Sequence, residues 1–216
     1  ERKSGGSAAN TMIAISQLGG KAFYSCKVAS DEFGDFYLHD MSEAGVETNL
    51  DGQQRQEGTT GKCLVMVTED SDRTMNTFLG VSDNFSEMEI NRAVISNSEW
   101  FYIEGYLQTD DHRAAVVISA VEFAKQQGVR VALSLSDAFV AQLFAANLKS
   151  VIGEGIDLIF CNKDEALAFT GTDSLDLAAE ALKKYAKTFA VTDGANGAIV
   201  FDGIRLFQVP GVNAKA

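Results

Sequence analysis

Four short segments carry side chains suited to a small polar ligand and a phosphate. The first is Gly5-Gly6-Ser7-Ala8-Ala9-Asn10. Its two glycines let backbone approach a ligand closely, and Asn10 offers both a donor and an acceptor in the first turn of a helix. That pairing suits a polyhydroxylated molecule. The second runs from Gly61 to Gly80, two β-rich stretches around a polar turn that could act as a lid over a reacting hydroxyl. The third is Asn162-Lys163-Asp164-Glu165, at a strand–helix junction, where Asn162 and Glu165 could orient phosphate oxygens and hydrated Mg2+. The fourth is Thr192-Asp193-Gly194-Ala195-Asn196-Gly197, a strand end entering a glycine turn, able to present N–H groups and a hydroxyl to a nucleotide.

Each segment also has a plainer reading. The first is a glycine turn before a helix, and the second a structural or dimer-forming hairpin. Asn-x-x-Glu is a capping box, with Glu165 reaching back to the Asn162 N–H. Asn196-Gly197 is a strong hairpin-turn signal. No segment matches a P-loop or a Gly-x-Gly-x-x-Gly dinucleotide fingerprint. A dinucleotide-dependent oxidoreductase, which would share the same α/β pattern, therefore loses its defining feature.

Composition narrows the remaining classes. The chain has 216 residues, 46% of them hydrophobic, enough for one large domain. A net charge of −12 argues against a nucleic-acid surface, which needs clustered Lys and Arg. A polyphosphate can still sit on helix N-termini and backbone N–H groups. His39 and His112 have no His or Cys nearby in sequence, so neither a zinc site nor a His-based triad is supported. Cys26, Cys63 and Cys161 are odd in number and far apart, each in a stretch that reads as strand, as in a reduced cytoplasmic protein. No run is apolar enough to span a membrane, and no signal peptide opens the chain. The start at Glu1-Arg2-Lys3-Ser4, without Met and straight into a glycine turn, reads as a start inside a fold.

The elements that must position these segments alternate along the chain. Ser7 is expected to cap a helix over 8–18, closed by Gly19-Gly20, with a strand over 22–28. A helix over 31–44 carries Phe33, Phe36, Tyr37, Met41 and Ala44 at the spacing of a buried stripe. Residues 46–80 break this rhythm. Runs over 62–68 and 74–79 flank Glu69-Asp70-Ser71-Asp72-Arg73, which predicts an antiparallel hairpin. Both faces of its first strand are apolar, Cys63/Val65/Val67 and Leu64/Met66, so it needs cover from a ligand site, the main domain or a partner subunit. Strands over 100–104, 131–135, 157–161 and 188–192 then alternate with helices over 110–127, across Val140, Leu143, Phe144 and Leu148, over 163–169, and across Leu175 to Tyr185. Two last strands cover 198–201 and 204–209. Such alternation means βαβ crossovers and a mainly parallel sheet with helices on both faces, an α/β/α three-layer domain. Ligands in such folds collect at the carboxyl ends of the strands.

The order of the four segments adds what none carries alone. Gly5-Gly6 with Asn10, followed by Val28-Ala29-Ser30-Asp31-Glu32-Phe33-Gly34, resembles the N-terminal signature region of the PfkB (ribokinase-family) carbohydrate kinases. That family usually has Gly where this chain has Ala29. The hairpin, the Asn-x-x-Glu and the Thr-Asp-Gly turn follow in the family's order. Gly58-Thr59-Thr60-Gly61 through Arg73-Thr74-Met75-Asn76-Thr77-Phe78-Leu79-Gly80 is most similar to the bacterial adenosine-kinase-like and sugar-kinase branch.

The resemblance implies a ribokinase-like fold over the whole of 1–216, with a small β-lid within about 46–80, and an enzyme that phosphorylates a hydroxyl of a sugar or nucleoside. Adenosine, ribose and fructose types all stay open. ATP and Mg2+ are the implied cofactors, with K+ as an optional cation. Gly5, Gly6 and Asn10 match positions that hold the sugar hydroxyls, and Glu104 a family acid near the sugar. Asn162 and Glu165 match the element beside the phosphates, with Glu165 toward Mg2+ through water. Thr192, Gly194 and Gly197 match the turn lining the nucleotide. Separately from the resemblance, the hairpin's two-sided apolar character makes a homodimer through the lid a candidate assembly. The family's Asp-Thr-x-Gly-Ala-Gly-Asp element, which forms an anion hole and supplies the catalytic base, does not occur in these residues. It is expected beyond Ala216, and the family's first strand before Glu1, so the chain reads as an incomplete domain with negligible activity by itself. A catalytically silent sugar- or nucleoside-binding protein on the same fold is the alternative.

Overall fold

The computed structural model describes residues 2–48, 50, 55–70 and 73–212. They gather into two compact units, Glu1–Asn91 and Arg92–Ala216.

In the first unit, α1 spans Ser7–Gln17 and β1 spans Ala22–Tyr24. Gly6, at φ 111, is the N-cap, and no side chain caps the helix. Ser7, expected as the cap, is instead the first helical residue. The strand predicted to run to Val28 stops at Tyr24, because the next backbone groups turn to other partners. The Ala29 N–H donates to Thr60 Oγ1 at 3.0 Å and the Ser30 N–H to the Gln56 carbonyl at 2.9 Å. Cys26 therefore lies in a loop and not in a strand. β1 pairs in parallel with β2 (Val46–Thr48), Ala22 opposite Val46. Ala9, Ala22, Met41 and Val46 form one buried core cluster in this unit.

Helix α2 spans Glu32–Glu43, capped by the Asp31 carboxylate, which accepts from the Gly34 N–H at 2.8 Å. Of its predicted stripe only Met41 is fully buried; Phe33 and Phe36 are half-covered by the Arg2 guanidinium, 4.5 and 5.6 Å above their rings. A Cβ on Gly34 would fall 2.1 Å from the Ala29 carbonyl oxygen, so only glycine fits where α2 meets that loop. The hairpin forms as the pattern predicts. β3 (Lys62–Val67) pairs antiparallel with β4 (Arg73–Phe78), Val65 opposite Met75. Every residue of both strands is exposed, Leu64, Met66, Met75 and Phe78 among them.

The second unit follows the predicted alternation. After α3 (Arg92–Ser96) come β5 (Trp100–Glu104), α4 (Asp111–Gln126), β6 (Arg130–Ser134), α5 (Ala138–Leu143), α6 (Ala145–Ile152), β7 (Ile156–Asn162), α7 (Lys163–Thr170), α8 (Leu175–Leu182), β8 (Ala186–Thr192), β9 (Ala198–Phe201) and β10 (Leu206–Val209). One six-stranded sheet has the order β10-β9-β8-β7-β6-β5. β5 to β8 are parallel, and β9 and β10 close it antiparallel. Ile103, Leu133, Ile159 and Phe189 align across one face and are fully buried. The other face carries Glu104, Ser134, Phe160 and Ala190 in register, with Phe160 43% exposed. The single helix predicted across Val140 to Leu148 is two, because Phe144 at φ −109, ψ 23 breaks the helical backbone and leaves Leu143 exposed. No described helix is long and apolar enough to cross a membrane.

Candidate functional site

Parallel strands that advance in one direction across a sheet bring their carboxyl ends to one rim. Here that rim gathers Glu104 from β5, Ser136 and Asp137 just after β6, Asn162 from β7 and Thr192 from β8. Asn162 and Thr192 are direct register partners.

Glu104 is buried, and both of its oxygens are taken. Tyr102 OH donates to Oε1 at 2.7 Å and Ser136 Oγ donates to Oε2 at 2.8 Å. Ser136 follows β6 with φ 71, the one positive φ outside glycine among the described residues. Asp137 begins α5, its carboxylate accepting from the Phe139 N–H at 2.8 Å. Sequence reasoning missed Ser136, Asp137 and Tyr106. The readable signal was Ser134-x-Ser136-Asp137, a polar cluster directly following a buried strand.

The Asn162–Glu165 pair forms the full capping box at the start of α7. Asn162 Oδ1 accepts from the Glu165 N–H at 2.9 Å, and the Asn162 N–H donates to Glu165 Oε2 at 3.1 Å. Asn162 Nδ2 adds a third bond, to Oε1, at 2.8 Å. Burial pushes the Glu165 carboxyl above the ordinary carboxylate range, the Asn162 N–H pulls it back, and Asp137, Glu104 and Asp164 push it further up. Burial, followed by the carboxylates Asp137, Glu104 and Glu165, likewise raises the Tyr106 phenol. Tyr106 lies just after β5, at the same rim as these carboxylates. Each Glu165 oxygen accepts from Asn162 and keeps a further lone pair, which a hydrated dication could reach through water, the way Mg2+ usually binds. No group of three or more His, Cys, Asp or Glu among the described residues could hold a metal directly.

The Thr192 segment is a tight hairpin turn, as its plainer reading had it. The Asp193 N–H donates to the Gly197 carbonyl at 2.8 Å, and β9 leaves antiparallel from β8. Thr192 and Gly194 stay exposed. Gly197, at φ 99, has no room for a side chain, since a Cβ would fall 2.0 Å from the Val209 carbonyl oxygen. Lys163 Nζ stands 3.6 Å from Asp193 Oδ1 and ties the turn to the start of α7.

Gly5, Gly6 and Asn10 form a separate cluster in the first unit, at the uncapped N-terminus of α1. The Asn10 N–H donates to the Gly6 carbonyl at 2.9 Å, and its side chain is exposed. Tyr37 OH donates to the Gly5 carbonyl at 3.2 Å, and nothing stands within 4 Å of a Cβ position on Gly5. Backbone approach to a ligand is open there.

The pfkB family carbohydrate kinase model matches residues 1–216. The chain belongs to this family. The chain is similar to the solved adenosine kinase from Sinorhizobium meliloti, with 32% identity, a TM-score of 0.92, and coverage of 99% of this chain and 65% of that one. It is similar to the guanosine-inosine kinase of Escherichia coli K12, 23% identical over 198 residues, 89% of this chain and 46% of the relative. It also shares the fold of the Xylella fastidiosa fructokinase solved with bound ATP, at 21% identity and a TM-score of 0.81, covering 97% of this chain and 69% of that one. The chain thus spans less than two thirds of the first two relatives. The mixed α/β architecture with a mostly parallel sheet is that of the ribokinase-like kinases.

Proposed function

We propose that this pfkB-family protein transfers the γ-phosphoryl group of ATP to a hydroxyl of a sugar or nucleoside. The observation that carries the reading is the gathering of Glu104, Asn162, Glu165 and Thr192 at the carboxyl rim of one sheet. Gly5, Gly6 and Asn10 hold the acceptor hydroxyls, as does Glu104. Asn162 and Glu165 serve the phosphates, and Thr192, Gly194 and Gly197 line the nucleotide. Mg2+, when bound, neutralises charge on the phosphate oxygens. The crowded rim carboxylates suit a hydrated dication, with Glu165 as its water-mediated holder. Positioning and electrostatics supply most of the catalysis of phosphoryl transfer, so holding these groups rigidly is this chain's contribution.

The 216 residues contain no Gly-Ala-Gly-Asp element. The base that takes the acceptor proton is proposed to come from residues encoded after Ala216, and the 216 residues alone to transfer phosphate negligibly. The exposed apolar hairpin serves as the lid, with pairing to a second copy as a further use. The enzyme acts in the cytoplasm on a small molecule.

The test is γ-phosphate transfer from ATP with Mg2+ to adenosine, D-ribose and D-fructose, in KCl and again in NaCl. The polypeptide as its gene encodes it should turn over at least one acceptor. Likeness to an adenosine kinase puts adenosine first. Acceptor binding without transfer would support the silent binder instead.

A further inference from the structure

Ser136 is held in a conformation that serine rarely adopts. Its φ is 71, and the Asp137 N–H donates back to the Leu135 carbonyl at 2.9 Å. A bond between residues two apart, closed around a positive φ, is the rare and strained form of the γ-turn. Glycine would hold this backbone at lower cost. Strain of this kind persists where the surroundings demand it, and its recurrent setting is a functional site.

The demand here is visible in the side chain. Ser136 Oγ donates to Glu104 Oε2 at 2.8 Å, while Tyr102 OH donates to Oε1 at 2.7 Å. The Ser136 N–H is in turn fixed by Ser134 Oγ at 3.1 Å. Two hydroxyls, one from β5 itself and one from the turn after β6, therefore each donate to one oxygen of the buried carboxylate. An ordinary turn after β6 would direct residue 136 elsewhere and leave Oε2 without this donor. Asp137, next along, cannot substitute, since its carboxylate caps α5.

We infer that Ser136 is a positioning residue whose strained γ-turn exists to aim its hydroxyl at Glu104, and that Tyr102 is its counterpart on the other oxygen. The inference rests on the proposed role of Glu104 toward the acceptor. It adds that acceptor specificity depends on a residue that need not touch the acceptor.

The test compares Ser136→Gly, Tyr102→Phe and Glu104→Gln with wild type, in the polypeptide as its gene encodes it. Whichever of adenosine, D-ribose and D-fructose the wild type phosphorylates serves as the probe. Ser136→Gly should raise the acceptor KM roughly tenfold, the loss of about one hydrogen bond to a charged group. The ATP KM should move less than about twofold; Tm does not discriminate, since relief of backbone strain is offset by the donor lost to a buried carboxylate. Tyr102→Phe leaves the turn intact and should raise the acceptor KM in the same direction. If Glu104→Gln raises the acceptor KM but the other two do not, the positioning role is overturned and the functional reading stands. If Glu104→Gln has no effect, the acceptor role of Glu104 falls and the inference with it. Failure of the wild type on all three acceptors removes the functional reading itself.

Discussion

Asp31 and Thr60 hold each other by two hydrogen bonds, Thr60 Oγ1 donating to Oδ1 at 2.5 Å and the Thr60 N–H donating to Oδ2 at 3.0 Å. The first turn of α2 is thereby bolted to the root of the β3–β4 hairpin. Thr60 Oγ1 also accepts from the Ala29 N–H, and Arg55 donates to the Ala29 carbonyl at 3.2 Å and to Asp35 at 2.6 Å. The Val28–Gly34 run thus fixes where the hairpin begins.

This node gives a pH prediction. Burial pushes the Asp31 carboxyl up, but hydrogen bonds from Thr60 and Gly34 and the nearby Lys62 outweigh it and leave it below the ordinary carboxylate range. A carboxyl lowered by folding stabilises the protein above its unfolded value, about pH 3.9, and loses that contribution as pH falls through the folded value. Asp31→Asn should therefore lower Tm between pH 5 and 7. The gap to wild type should close below about pH 4. Thermal scans from pH 7 to pH 2.5 decide it; a gap that stays constant would refute the linkage.

Gly197→Ala should be severe and Gly194→Ala mild. Both glycines have positive φ, 99 and 52, but only Gly197 lacks space, with a carbonyl oxygen 2.0 Å from the added Cβ. Steric conflict with backbone adds to the conformational cost, for roughly 3 kcal/mol in all and a Tm loss of roughly 6–12 °C. Gly194→Ala has open space around it and should cost about 1–2 kcal/mol. Equal losses, read by calorimetry, would contradict the structure of this turn.

Much of the site was legible because its parts sit where elements end, and ends are written in short-range chemistry. Asn162 and Glu165 announced a capping box and form one. Thr192 to Gly197 announced a hairpin turn and form one. What stayed illegible was long-range. Ser136, in the turn after β6, reaches Glu104 on the neighbouring β5 from 32 residues away, a register that no local pattern encodes. The break at Phe144 was hidden too, since Val140, Leu143, Phe144 and Leu148 keep a helical period across it. Likewise β1 ended early because the Ala29 and Ser30 N–H groups donate to Thr60 and Gln56, 31 and 26 residues away in sequence.

Thiol labelling reads the hairpin. Cys63 is exposed, whereas Cys26 and Cys161 are buried. Burial, with Glu89 adding to it, pushes the Cys26 thiol up to about 12, and burial with Glu165 raises Cys161 as well. Only the thiolate reacts quickly, so at pH 8 one cysteine per chain should label fast and all three only in denaturant. If the hairpin is a lid, ATP with acceptor should slow the labelling of Cys63. Unchanged labelling at saturating ligand would count against a lid.

Asn10→Ala should raise the acceptor KM by roughly 10- to 100-fold, the loss of one or two hydrogen bonds of about 1–1.5 kcal/mol each. The ATP KM should hold. The Asn10 side chain is exposed and so contributes little to stability, and Tm should change by no more than about 2 °C. An unchanged acceptor KM would remove Asn10 from the site.

The most direct measurement of the central claim is a crystal structure of the gene-encoded polypeptide with Mg2+ and a non-hydrolysable ATP analogue. The analogue's phosphates should lie beside Asn162 and Glu165, a Mg2+-bound water should reach the Glu165 carboxylate, and the base and ribose should lie along the Thr192–Gly197 turn. A nucleotide bound away from the carboxyl ends of β5, β7 and β8 would contradict the account.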